Sequence, residues 1–222
     1  MKSIQWWKLA GVVLVLFALT GGLLLPVPQL PILAQSIRNL YYHVPMWFGM
    51  LSLLIASSVY AVKVLMSKDL INDVYSESFA RVALLYGTIG IVTGMIWAKN
   101  TWGAYWTNDP KLNSAAIGML MYAAYFVLRG SIEDEEKRAR ISAVYNLFCL
   151  PMFIVLIFVL PRLTASLHPG NGGNPGFNSY DLDSRLRMVF YPAVIGWIII
   201  GFWIANIQIR LKKIELKKEQ EL

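Results

Sequence analysis

Six stretches of the sequence, residues 9–25, 44–62, 82–98, 112–128, 141–161 and 188–209, contain no charged residue and no histidine. Each is 17 to 22 residues long, close to the ~20 residues with which a helix crosses a hydrocarbon core of ~30 Å. None alternates apolar with polar residues, so the pattern of a membrane β-strand is excluded. The expectation is an all-α integral membrane protein, a single six-helix domain over residues 1–222. Composition agrees: 57% of residues are hydrophobic and 15% charged, against ~45–50% and about 25% in soluble domains. A soluble globular enzyme, a disordered chain and a disulfide scaffold are all excluded. The lone cysteine, Cys149, can form no intramolecular bridge. Lys2 and Lys8 precede the first run as they would in a signal peptide. No A-x-A site follows, so that run is expected to stay as a membrane anchor.

Charge is sided. The N-terminus, residues 63–81, residues 129–140 and the tail together hold 14 Lys and Arg residues, and the alternate segments hold six. By the positive-inside rule the first set is cytoplasmic, with both termini inside. The net charge of +7 therefore needs no nucleic acid to explain it. The tail from Arg210 reads as a cytoplasmic extension of the sixth helix, either a solvated anchor at the lipid surface or a docking element for a cytoplasmic partner. The three external segments, 26–43, 99–111 and 162–187, are poor in acid and rich in Pro, Gly, Asn and aromatics. Loops carry function more often than the scaffold beneath them.

Both histidines fall in these external segments. His43 stands in Tyr41-Tyr42-His43-Val44-Pro45 at the outer end of helix 2. His168 stands in Ser166-Leu167-His168-Pro169-Gly170 after helix 5. An interfacial histidine with its polar tip in water is one reading, and a ligand is the other. Between them, external to helices 3 and 4, lies the tryptophan-rich loop Trp102-Gly103-Ala104-Tyr105-Trp106-Thr107-Asn108-Asp109-Pro110-Lys111. A helical turn here would place Trp102, Tyr105 and Trp106 on one face able to hold a flat apolar ligand. The same residues also suit an aromatic belt at headgroup level. Asp109-Pro110 suits an N-cap and first helical position for helix 4. Lys99, Lys111, Arg162, Arg185 and Arg187 can meet anionic groups of a ligand or lipid phosphates.

Other chemistry fails on inventory. There is no P-loop sequence, too few close-spaced ligands for zinc on the external side, and no serine fixed near either histidine. No Asp, Glu, Lys, Arg or His stands at mid-span, which argues against an ion pathway or a gated solute transporter. Gly90-Ile-Val-Thr-Gly94 with Gly87 makes a small face for close packing within the chain or against a partner helix. Two imidazoles flanking an aromatic shelf with cations around it would suit bis-histidine haem ligation. A solute transporter gated by external aromatics, a b-type electron-transfer subunit and a ligand-free structural subunit are the alternatives at this point.

At these same residues the sequence resembles the haem-handling family of cytochrome c maturation that carries the tryptophan-rich WWD signature, most closely its CcmC branch. Trp102–Lys111 resembles the signature, and His43-Val-Pro and Leu167-His168 match its two flanking histidines. The resemblance implies a haem-binding protein of the bacterial inner membrane that presents haem b at the periplasmic face, with His43 and His168 as axial ligands. Trp102, Tyr105, Trp106 and Asp109 would line the haem or chaperone site. It also implies delivery to a CcmE-like haem chaperone, beside CcmA-like and CcmB-like ABC transporter subunits and a small CcmD-like subunit. The role is haem export for c-type cytochrome biogenesis rather than turnover of a small substrate. Two positions depart from the pattern, Asn108 and Asn113. Larger relatives carry further histidines within their spans, which this chain lacks. The Gly- and Asn-rich stretch 169–183 has no counterpart and is a candidate partner surface.

Overall fold

The computed structural model describes residues 5–30, 32–67, 69–168 and 182–221, and among these every regular element is helical. The helices are α1 (Trp6–Leu24), α2 (Leu40–Met66), α3 (Ile71–Trp102), α4 (Pro110–Gly130), α5 (Glu135–Ile154), α6 (Leu160–Leu163) and α7 (Ser184–Gln220). A 3₁₀ turn, Ala34–Asn39, leads into α2, and a π turn, Val155–Val159, joins α5 to α6. Counting α5, the π turn and α6 as one rod, six helices are long and apolar enough to cross a membrane.

The helices outrun the charge-free runs because charge marks the membrane boundary and not the helix end. Of residues 63–81, read from the sequence as a loop, only 67–70 lie between α2 and α3. Asp69 starts α3 by accepting the Ile71 N–H through Oδ1 at 2.9 Å. The charges that follow are held in ion pairs. Arg129 grips Asp73 with both terminal nitrogens at 2.7 Å and reaches Glu77 at 3.3 Å. Glu77 also accepts from Arg81 at 2.6 Å and from Lys212 on α7. This buried network ties α3, α4 and α7 together at one end of the bundle. The tail extends the last span as expected, with α7 helical to Gln220.

α2 is the central helix. Its buried residues Met46, Met50, Leu53, Leu54, Ser57, Ala61 and Val64 recur at helical spacing and face α3, α5 and α7. Met46, Met50, Leu53 and Leu54 cluster with Phe79, Val82, Ala83 and Tyr86 of α3, Tyr122 of α4, and Cys149 and Phe153 of α5, and Ala61 and Val64 with Ala139 and Ala143 of α5. In lipid this packing gains from dispersion and interhelical hydrogen bonds more than from water exclusion. Two such bonds are Tyr86 Oη to the Trp197 carbonyl at 2.8 Å and Asn146 Nδ2 to Ser57 Oγ at 2.7 Å. α1 lies outside, against α7, where Gly11 and Gly196 let the backbones approach.

Candidate functional site

The other end of the bundle holds both histidines. His43 sits in the first turns of α2, just inside the helix that begins at Leu40. Its Nδ1 lies 2.9 Å from the Gly90 carbonyl and 3.3 Å from Thr93 Oγ1. A carbonyl only accepts, so Nδ1 carries the proton and the lone pair stays on Nε2. Among the described residues Nε2 has no hydrogen bond. The Gly90–Gly94 face makes room for this. A Cβ at Gly94 would fall 2.7 Å from His43 Cε1, and one at Gly90 would fall 2.9 Å from Trp47 Cε2. The small face is thus taken by α2 of the same chain, where His43 and Trp47 lie one turn apart. Trp47 and Trp97 meet the imidazole edge-on, with ring centroids 6.2 and 6.0 Å away.

His168 is held by Asp109. As read from the sequence, Asp109 caps α4, its Oδ1 accepting the N–H groups of Lys111 and Leu112 at 3.0 and 3.3 Å. The structure adds a second task. Oδ1 also lies 2.9 Å from His168 Nδ1, while Oδ2 accepts Leu167 N–H at 2.7 Å and Ser166 Oγ at 2.9 Å. Asp109 is only 3% exposed. Burial pushes its carboxyl up, but the His168 ring, the Leu167 N–H and the Ser166 hydroxyl together hold it well below the usual carboxylate range. An ionised Asp109 only accepts, so His168 too donates from Nδ1. Imidazoles that bind metals are commonly oriented this way, by a carboxylate or carbonyl on the far nitrogen.

His43 lies within electrostatic range of both His168 and the Lys111 ammonium, and Lys111 feels both Asp109 and Arg162. The other candidate cations are engaged elsewhere. Lys99 Nζ donates to the Gly103 carbonyl at 2.8 Å, Arg185 pairs with Asp183 at 2.8 Å, and Arg187 Nε donates to the Leu182 carbonyl at 2.7 Å.

The single aromatic face expected of the tryptophan-rich loop does not form. α3 ends at Trp102, and Gly103 caps it in the left-handed region with φ of +82°. The chain turns there, so Trp102 and Trp106 cannot share a helical turn. Trp102 stays on α3 and packs edge-on to His168, ring centroids 4.9 Å apart. Tyr105 and Trp106 stand exposed. Trp106 Nε1 donates to Asn113 Oδ1 at 3.2 Å and Asn113 Nδ2 to Asn108 Oδ1 at 2.8 Å, which joins the two departures from the family pattern in one chain of bonds. Of the segment 162–187, residues 169–181 lie outside the described residues, and with them most of the candidate partner surface 169–183.

Comparison with known proteins places this geometry in a family. The profile of CcmC, heme exporter protein C, matches residues 1–221. Heme exporter protein C of Rhodobacter capsulatus is 26% identical over 208 residues, covering 88% of this chain and 78% of that protein. The namesake from Bradyrhizobium diazoefficiens is 26% identical over 147 residues, 66% of this chain and 55% of its own length. A putative cytochrome c biosynthesis ccmC-like mitochondrial protein of Marchantia polymorpha is 27% identical over 111 residues, 50% of this chain and 46% of its own. The chain thus spans about half the length of the latter two relatives. Cytochrome c biogenesis protein CcsA of a Synechococcus strain is 36% identical over 88 residues, 40% of this chain and 29% of that protein. With the profile matched from its first residue to its last but one, the chain belongs to the CcmC, heme exporter protein C, family.

Proposed function

We propose that this protein holds haem at the periplasmic face of a bacterial inner membrane and passes it to a haem chaperone for c-type cytochrome biogenesis. The observation that carries the reading is the matched pair of imidazoles. Each donates its Nδ1–H to a neighbour that can only accept, the Gly90 carbonyl for His43 and the Asp109 carboxylate for His168. With Nδ1 held in this way, Nε2 is the nitrogen that each ring would turn to haem iron. The residues present therefore fit the group. His43 and His168 would hold the iron, Trp102 would pack against the porphyrin, and Lys111 and Arg162 would pair with the propionates.

Haem here is cargo, so the protein must bind, orient and release it. Asp109 orients His168, and the same carboxylate ties the loop carrying that histidine to the start of α4. Letting go of that loop frees one ligand without disturbing the other, His43 on α2, which packs against Gly90 and Gly94 of α3. Exposed Tyr105 and Trp106 give an acceptor a surface to meet, and a CcmE-like chaperone is the acceptor in this reading. CcmA-like and CcmB-like transporter subunits with a small CcmD-like subunit complete the assembly. The charge asymmetry supports cytoplasmic termini, since the Arg129 network and the basic tail share the end opposite the histidines.

Absorption spectroscopy of detergent-purified protein tests the reading. The wild type should carry haem with a six-coordinate, low-spin spectrum that changes in both His43→Ala and His168→Ala. Haem bound with an unchanged spectrum in either variant would refute the ligand assignment.

A further inference from the structure

A second recess opens at the same end of the bundle, on the seam between the 3₁₀ turn, α2 and α3. It has a volume of about 210 Å³ and is lined by Gln35, Ser36, Asn39, Tyr42, Ile96, Trp97 and Asn100. At ~30 Å³ per water this is room for about seven waters, enough for a headgroup but not for an acyl chain. The apolar runs 44–62 and 82–98 end at this level, so the recess sits where headgroups lie. Its apolar wall, Ile96, Trp97 and Tyr42, continues toward the lipid-facing side, where Ile96 is 52% exposed.

Its polar atoms are oriented. Asn39 Nδ2 donates to the Thr93 carbonyl at 2.8 Å, and Asn100 Nδ2 donates to the Ile96 carbonyl at 2.8 Å. Each amide is therefore fixed with its nitrogen on the backbone, and neither Oδ1 receives a hydrogen bond among the described residues. No carboxylate or ammonium lines the recess. Beside it, Arg38 Nε donates to Gln35 Oε1 at 2.9 Å, and its Nη1 donates to the Gly22 and Leu25 carbonyls at 2.7 and 2.8 Å. Its Nη2 has no hydrogen bond among the described residues. Two acceptor oxygens and two aromatic rings beside one guanidinium complement a zwitterion: N–H donors on the amides, a cation on the rings, and phosphate on the arginine.

We infer that this recess binds the headgroup of a phospholipid bearing a primary ammonium, phosphatidylethanolamine. A trimethylammonium has no N–H for the two amide oxygens, and a glycerol headgroup brings hydroxyl donors but no cation for the rings. Trp97 is also a wall of the His43 site, so the lipid and the histidine share one side chain.

The test is native mass spectrometry of the full-length protein from mixed micelles containing equal phosphatidylethanolamine, phosphatidylcholine and phosphatidylglycerol. Phosphatidylethanolamine should be retained over phosphatidylcholine by about tenfold, the worth of one charge-assisted hydrogen bond. Asn100 is exposed, so Asn100→Asp and Asn100→Lys should both fold. The acidic variant should keep or raise the preference and the basic one should abolish it. Equal retention of the ethanolamine and choline lipids, preference for phosphatidylglycerol, or an unchanged preference in Asn100→Lys would each overturn the inference.

Discussion

The substitution Asp109→Asn changes one atom and should loosen one histidine. Asp109 receives five hydrogen bonds, three at Oδ1 and two at Oδ2. An asparagine there would keep a carbonyl for the α4 cap, and Asn caps helices as well as Asp does. Its amide nitrogen must then face Leu167 N–H and Ser166 Oγ. The serine hydroxyl can turn and accept, but the backbone N–H cannot. One charge-assisted bond is lost and one donor is orphaned, a local cost of about 2–3 kcal/mol. That falls on the segment bearing His168, not on the helices. Haem affinity should therefore drop about 10- to 100-fold, as is usual when the partner of a ligating histidine is changed. Titrating haemin into detergent-solubilised protein and following the Soret band gives the affinity, and a thermal melt should show the fold intact. Asp109→Ala, which also removes the cap, should lose about 1 kcal/mol more of stability. If Asp109→Asn binds haem with wild-type affinity and spectrum, Asp109 is a helix cap only and the orienting role is wrong.

The folded Asp109 carboxyl is depressed, so its contribution to stability is fully present above the unfolded value of ~3.9. Protection of the Leu167 amide against hydrogen exchange, corrected for intrinsic rate, should thus persist at pH 5 and be lost only as the pH falls below ~3.9. Gly94→Ala drives a methyl into His43 Cε1 and should cost about 1–3 kcal/mol while disturbing the haem spectrum; Gly130→Ala, which meets nothing within 4 Å, is the silent control. Arg129→Met leaves Asp73 and Glu77 without their shared partner and should lower stability by about 3–5 kcal/mol in a detergent unfolding assay, with the haem spectrum preserved. Trp102→Ala should shift the spectrum because Trp102 packs on His168. Trp106→Ala should leave the spectrum alone and slow haem transfer to a purified chaperone.

The six spans are legible in the sequence because lipid imposes an all-or-none constraint on charge. The Asp109 cap is legible because Asp-Pro acts on its immediate neighbours. What the sequence hides is longer in range. The Asp109–His168 contact joins residues 59 apart, and no local pattern announces it. The Gly90–Gly94 face is visible as a packing motif, yet only the fold shows that His43 and Trp47 fill it. Charge misplaces the helix ends wherever it continues into a helix, as at Asp73, Glu77 and Arg81, because ion pairs from α4 and α7 supply partners there. The turn at Gly103 is readable in principle. A glycine directly after Trp102 is a common helix stop, and the four-residue spacing of the tryptophans masks it.

The central claim is that His43 and His168 hold one iron. Electron paramagnetic resonance of ferric, haem-loaded protein addresses it directly. The wild type should give a low-spin signal of bis-imidazole type. In His43→Ala and in His168→Ala that signal should give way to high-spin iron, and added imidazole should restore it. A wild-type signal that persists in either variant would contradict the account.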